Sequence, residues 1–177
     1  HAFQYIVQSL SLDEGEMFNM YREVEEIYNK DQHAMSCTSS VLDMNPNDLK
    51  TTKGLQTFIK NLVGLYVITE GIFFYGGFVT MLSFGRQNRM SGTCEQIQYI
   101  LRDESIHMNF GIELINAIVD ENPQVWDEVF KKDIIQFIKS AVQLESAYIR
   151  ECLPNGILGL NSSLIQEYIQ YLADRRF

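Results

Sequence analysis

Helix-breaking and cross-linking residues are scarce in this sequence, which has three prolines and three cysteines among 177 residues. Each proline falls at a break in the apolar pattern, and their scarcity elsewhere favours long, uninterrupted helices. The cysteines, Cys37, Cys94 and Cys152, are far apart and show no Cys-x-x-Cys spacing. We therefore expect free thiols in a reducing compartment, not a disulfide framework.

Positively charged residues are also few: the sequence has 14 Lys and Arg residues against 23 Asp and Glu residues, which gives a net charge of -9. Nucleic acids and anionic membranes are bound by basic patches, so we expect neither as a partner. The sequence shows no basic-then-apolar leader and no run approaching 18 consecutive apolar residues. These absences predict a cytoplasmic protein without a membrane span.

The apolar residues that are present recur at the three- and four-residue spacing of amphipathic helices, and no stretch alternates like a strand. We expect a single all-α domain over residues 1–177, a helical bundle, because each helix is too apolar on one side to stand alone. Ser11 is the expected cap of the second helix, Thr51 or Thr52 that of the third, and a polar connection is expected over residues 36–51. The predicted helices cover residues 2–10, 11–34, 53–81, 92–122, 124–152 and 162–176.

Two neighbouring predicted helices each carry ionisable residues in the middle of an apolar stripe. Glu104 and His107 share one face at i, i+3 spacing, and Glu70 lies halfway along the preceding helix. Each feature alone is most simply a satisfied buried pair or a partly wet helix edge. Their coincidence favours a metal site, and carboxylates with one imidazole per metal suit iron or manganese. Gly76 and Gly77 follow Glu70 and predict close packing or a local distortion of the helix.

The ligand set is half of a known pattern. A ferritin-like carboxylate dimetal site takes one Glu from each of two helices and a Glu-x-x-His from each of two others. This chain supplies Glu70 and a single Glu-x-x-His, Glu104 to His107. We therefore expect a ferritin-like bundle truncated at the N-terminus, with the missing ligands upstream of residue 1.

The sequence resembles the small, radical-generating subunit of class I ribonucleotide reductase over essentially its whole length. The motifs that carry the resemblance are Glu70-Gly-Ile-Phe-Phe-Tyr75, Arg86-Gln-Asn88, Tyr99-Ile-Leu-Arg-Asp-Glu104-x-x-His107, Gly156-x-Leu-Gly-Leu160 and Ala173-Asp-Arg-Arg176.

Several site roles follow from this resemblance as expectations. It implies that Glu70, Glu104 and His107 ligate one half of a dinuclear Mn/Fe or Fe/Fe centre. Asp103 would hydrogen-bond a ligand histidine, and Phe74 would line the apolar pocket beside the metals. The resemblance further implies a homodimer that activates oxygen and passes an oxidising equivalent to a large subunit for deoxyribonucleotide synthesis.

The first residues fit the family in two registers. His1 and Tyr5 have the spacing of the family's ligand histidine and radical tyrosine, but the apolar residues at +3, +4 and +7 fit Phe3 better. With Phe3 at the radical position, His1 is a neighbour of the centre and not a ligand. That register resembles the class Ic subgroup, with Phe in place of the radical Tyr and a manganese/iron centre. Tyr5 is then either a nearby redox-active phenol or a half-buried helix-edge residue.

Two other functions stay open from the residues alone. A ferritin-like oxidase that binds a lipid-like ligand would share the metal pattern, and a non-catalytic helical fragment would lack a working site. His33, among polar residues, is expected at the surface. Glu145 and Tyr148 face inward, where a buried hydrogen bond suffices.

Overall fold

The computed structural model describes residues 2–157 and 159–176, with side chains described from residue 4 onward. The all-α prediction is confirmed, since this part of the chain contains helices and turns but no β-strand. The α-helices are α1 (Ala2–Ser9), α2 (Glu14–Asn19), α3 (Glu25–Leu42), α4 (Thr52–Leu62), α5 (Phe74–Gly85), α6 (Ser91–Glu121), α7 (Glu128–Cys152) and α8 (Ser162–Asp174). Short 3-10 turns cover Met20–Arg22, Asp48–Lys50 and Pro123–Val125.

The central rod of the bundle runs without interruption from Thr52 to Gly85. Thr51 caps it as predicted, because its hydroxyl oxygen accepts a hydrogen bond from the Gly54 N–H at 3.0 Å. The glycine pair Gly76-Gly77 lies in regular α5, where Gly76 is closely packed, and the helix is distorted earlier: Val63–Phe73, between α4 and α5, is a π-helix. By length and composition this rod could cross a membrane, but 61% of its most apolar window is buried inside the bundle. We therefore assign it as a core helix.

The core forms where α3, α6 and α7 pack around the π-helix and α8 closes against α7 and α5. Burying each large aliphatic side chain contributes roughly 1.5–3 kcal/mol. Six isoleucines are almost completely inaccessible to solvent: Ile59, Ile68, Ile72, Ile149, Ile165 and Ile169.

The predicted continuous helix over residues 11–34 is wrong. Ser11 has a φ of 57°, the left-handed region that ends a segment, and does not cap a helix. Asp13 is the actual cap of α2, accepting from the Glu16 N–H at 2.8 Å. Val24 is then extended, at φ -101° and ψ 112°, so α3 begins afresh at Glu25.

The expected connection over residues 36–51 is shorter than predicted, because α3 continues to Leu42. The Ser and Thr side chains near the end of α3 donate hydrogen bonds to backbone carbonyls one turn earlier: Ser36 donates to the His33 carbonyl and Thr38 to the Ala34 carbonyl. Such bonds let polar residues remain in a helix that composition alone would end.

Candidate metal centre

Two packed elements bring the candidate ligands together. Glu70 lies in the π-helix, and Glu104 and His107 lie one turn apart on α6. The two helices approach closely at Gly111, where an added Cβ would overlap the Tyr66 side chain. A glycine is therefore needed at this crossing for α6 to lie against the π-helix.

The three side chains converge on one point, as the sequence predicted. One ligand atom from each of Glu70, Glu104 and His107 lies within 4.8 Å of the others. His107 Nδ1 is 3.0 Å from Glu104 Oε2 and 3.9 Å from Glu70 Oε1. The carboxylates are mostly buried, with side chains 17% and 15% exposed, whereas the imidazole is 53% exposed. His107 is thus more exposed than its position on an apolar helix face predicted.

The electrostatics of the cluster reflect this crowding. Burial raises the pKa of Glu70, the nearby Glu104 carboxylate raises it further, and His107 opposes the shift. The hydrogen bond with Glu104 raises the pKa of His107. Glu70 Oε2 is buried and has no hydrogen-bond partner among the described residues. A buried carboxylate oxygen without a donor is costly unless a cation takes that place.

The donor set fits a hard or borderline divalent metal. Two carboxylates and one imidazole match the preferences of Fe(II) and Mn(II), and all three can be deprotonated as ligation requires. The described residues contain no second Glu-x-x-His, so the candidate ligands match one half of the ferritin-like dinuclear pattern.

The other predicted site residues are placed as follows. Asp103 is exposed, and its Oδ1 lies 3.5 Å from Arg102 Nη2. Phe74 is partly exposed at the start of α5, with its ring 5.9 Å from that of Phe78. Tyr5 is 70% exposed on α1, so the half-buried position given as one alternative is wrong. The side chain of Phe3, and all of His1, lie outside the described residues.

Sequence reasoning placed Glu145 inside but missed its partner, Lys30. Lys30 Nζ lies 2.6 Å from Glu145 Oε2, and the side chains are 14% and 0% exposed. Burial raises the pKa of Glu145, and the Lys30 charge opposes this shift. The sequence pattern that indicates this position is the helical spacing of Lys30 from Ile27, Ala34 and Cys37, which puts the lysine on the inner face of α3.

The surface position expected for His33 is wrong. Its ring stacks on Phe137 with centroids 4.7 Å apart and meets the edge of Phe73 at 5.6 Å. Both ring nitrogens are buried without a hydrogen-bond partner among the described residues. Burial, followed by the charge of Lys60, lowers the pKa of His33. The polar neighbours in sequence hid an inward position that only the packing of α3 on α7 reveals.

A sequence model of the family described as ribonucleotide reductase, small chain, matches residues 1–177. The chain belongs to the ribonucleotide reductase small-chain family. It is 56% identical to the ribonucleoside-diphosphate reductase subunit beta of Chlamydia pneumoniae over 176 residues, 99% of this chain and 51% of that one. The small chain of Plasmodium falciparum (isolate Dd2) is 28% identical over 98% of this chain and 44% of its own length.

The small-chain fold is confirmed by a solved structure. The ribonucleotide reductase R2 subunit from Clostridium botulinum superposes with a TM-score of 0.83 at 25% identity, covering 98% of this chain and 53% of that one. The predicted ferritin-like bundle is therefore correct. The chain spans about half the length of the curated small chains that it matches.

Proposed function

We propose that this chain is part of the oxidant-generating small subunit of a ribonucleoside-diphosphate reductase. The observation that carries the proposal is the convergence of Glu70, Glu104 and His107 within 4.8 Å, at the positions of the family's Glu and Glu-x-x-His motifs. The 56% identity to a named subunit beta supports it.

In this proposal the three residues hold one metal of a dinuclear Mn/Fe or Fe/Fe centre. Glu70 and Glu104 repel each other in the folded protein, and a bound cation would relieve that repulsion. His107 ligates as neutral imidazole, through either ring nitrogen. When bound, the metals supply the reduction of oxygen and store the oxidising equivalent used in deoxyribonucleotide synthesis.

Asp103 and Phe74 have supporting roles in this proposal. Asp103 is exposed, next to Glu104 on α6, and its carboxylate is free to accept a histidine N–H in place of its loose contact with Arg102. Phe74 lies one turn after Glu70, and its partly exposed ring would line the pocket beside the metals.

Phe3 is proposed at the position that carries the radical tyrosine in other family members, as in the class Ic subgroup. The inward face of α1 supports this register: Ile6 and Val7, at +3 and +4 from Phe3, are half-buried. The corresponding positions from Tyr5, Gln8 and Ser9, are exposed. Tyr5 would then act as a redox-active phenol near the centre. A tyrosyl-radical EPR signal that disappears in Tyr5→Phe would overturn this assignment.

We also propose the assembly and location that the family implies. The chain would form a single domain of a homodimer that docks a separate large subunit in the cytoplasm, with neither nucleic acid nor membrane as a partner. The net charge of -9 supports the last two points.

The test is metal binding by the full-length gene product, measured with Mn²⁺ and Fe²⁺ by titration and elemental analysis. We expect about two metals per chain from the dinuclear pattern, and loss of at least one in Glu104→Ala and in His107→Ala. The matched control is Glu113→Ala, which removes an exposed carboxylate from the same helix. Full metal content in both ligand variants would contradict the proposal, as would wild-type protein that binds no metal.

A further inference from the structure

A mostly buried cation, Lys30, joins three helices at Phe73, one turn along the chain from Glu70. Lys30 of α3 pairs with Glu145 of α7, and its Nζ also donates a hydrogen bond to the Phe73 carbonyl at 3.1 Å. The same ammonium lies 5.0 Å from the centroid of the Phe73 ring and 4.0 Å from that of Tyr148. Lys30 therefore contacts the central rod through both the backbone and the side chain of Phe73.

Phe73 is the residue at which the π-helix ends and α5 begins. A carbonyl oxygen has two lone pairs, so it can accept from Lys30 in addition to any helical partner. Glu145 supports the same junction from the next turn, because its carboxylate lies against Gly76, where an added Cβ would overlap Oε1. Both members of the ion pair thus contact the junction between the π-helix and α5.

The junction sets the direction in which Glu70 points. A π-turn closes between residues i and i+5 where an α-turn closes between i and i+4, so converting one to the other shifts the register by one residue. One residue corresponds to about 100° of rotation around a helix. If the π-helix relaxed to regular α-helix, Glu70 would rotate away from Glu104 and His107.

The π-helix has one further support within itself, since the Thr69 hydroxyl donates to the Gly64 carbonyl, five residues earlier, at 2.9 Å. π-helices are rare and are found mostly as short bulges at functional sites. External contacts at the end of an 11-residue π-helix are therefore expected to decide whether it persists.

We infer that Lys30 is a positioning residue for the metal ligand Glu70, acting through Phe73 with Glu145 as its counter-charge. This inference rests on the proposed function, because it assigns Lys30 a role in the geometry of that centre. In this inference Lys30 is not a metal ligand and acts only through Phe73. Its effect is to keep the π-helix in the register that aims Glu70 at α6.

The test compares three variants of the full-length gene product. Lys30→Met leaves Glu145 without its counter-charge and is expected to be unstable. The double variant Lys30→Met/Glu145→Met removes both charges and restores a packed interior, while Phe73 still lacks its lysine donor. Lys60→Met is the matched control, because Lys60 also pairs with a carboxylate of α7, Asp133, at 2.7 Å but on the surface.

Three measurements separate positioning from stability. Mn²⁺ affinity, followed by EPR of the free ion, should fall by about 10-fold or more in the double variant, the usual size for groups that orient ligands. Amide hydrogen exchange over residues 70–77 should quicken in the metal-free double variant. Thermal stability of that variant should stay near wild type, and Lys60→Met should change neither the Mn²⁺ affinity nor the exchange over residues 70–77.

The outcomes distinguish this inference from the proposed function. If His107→Ala loses bound Mn²⁺ but the double variant binds Mn²⁺ as wild type does, Lys30 is not a positioning residue and the metal centre stands. If the wild-type protein binds no Mn²⁺, both fail. Weakened binding with faster exchange confined to residues 70–77 supports the inference.

Discussion

The adjacent glycines of α5 offer a sharp test of the packing described above. An alanine Cβ at position 76 would overlap Glu145 Oε1 and lie 2.6 Å from Ile149 Cδ1, whereas a Cβ at position 77 meets nothing within 4 Å. Both substitutions gain about 1 kcal/mol of helix propensity. That gain cancels in the comparison, so the difference between the two variants isolates the steric cost at position 76.

Overpacking a filled core typically costs about 1–3 kcal/mol. The upper end applies here, since Glu145 is held by Lys30 and Ile149 is 1% exposed, so neither can move away cheaply. We expect Gly77→Ala to be more stable than wild type by about 1 kcal/mol, and Gly76→Ala to lie about 3 kcal/mol below Gly77→Ala.

The assay is denaturant and thermal unfolding of both variants beside wild type. At about 2–4 °C per kcal/mol for a chain of this size, the two melting temperatures should differ by about 6–12 °C. A difference within about 0.5 kcal/mol would refute the reasoning, because it would mean that Glu145 does not pack against Gly76.

Three further outcomes follow from the same contacts. Lys30→Met should lower the free energy of unfolding by about 3–5 kcal/mol, and Lys30→Met/Glu145→Met should recover most of it; equal losses in both variants would contradict a buried ion pair. Thr51→Ala should cost about 1 kcal/mol through loss of the helix cap, measured by urea unfolding, and an unchanged midpoint would argue against that cap. The lowered pKa of His33 means that below about pH 6.5 the unfolded chain binds a proton that the folded chain resists. The contribution of His33 to stability should therefore fall with falling pH from there, and His33→Phe should lower the slope of stability against pH by at most about 1.4 kcal/mol per pH unit.

Much of the site could be read from spacing alone. Glu104 and His107 share a face because three residues nearly complete a helical turn, and that local geometry holds in the structure. Glu70 could be added because it interrupts an otherwise apolar stripe, where an ionisable group needs a partner. Helix boundaries were harder, since Ser36 and Thr38 look like loop residues until their hydroxyls bond back to α3.

The π-helix and the Lys30–Glu145 pair could not be foreseen in the same way. A π-turn has no strong residue signature, and its register is set by contacts with other helices. Lys30 and Glu145 are 115 positions apart in sequence, and which lysine meets which buried carboxylate depends on how α3 and α7 pack. His33 was misplaced for the same reason, because its aromatic partners belong to other helices.

The sequence by itself determined that the chain is an all-α bundle with a half-set of candidate metal ligands, since both follow from periodicities within single helices. Only the tertiary structure decided that the candidate ligands meet within 4.8 Å, that Glu70 lies in a π-helix, and that a mostly buried lysine donates to the carbonyl at the end of that helix. Those features depend on contacts between helices. Which charges are buried and which side chains pack together is determined by how the helices meet, and no single segment determines it.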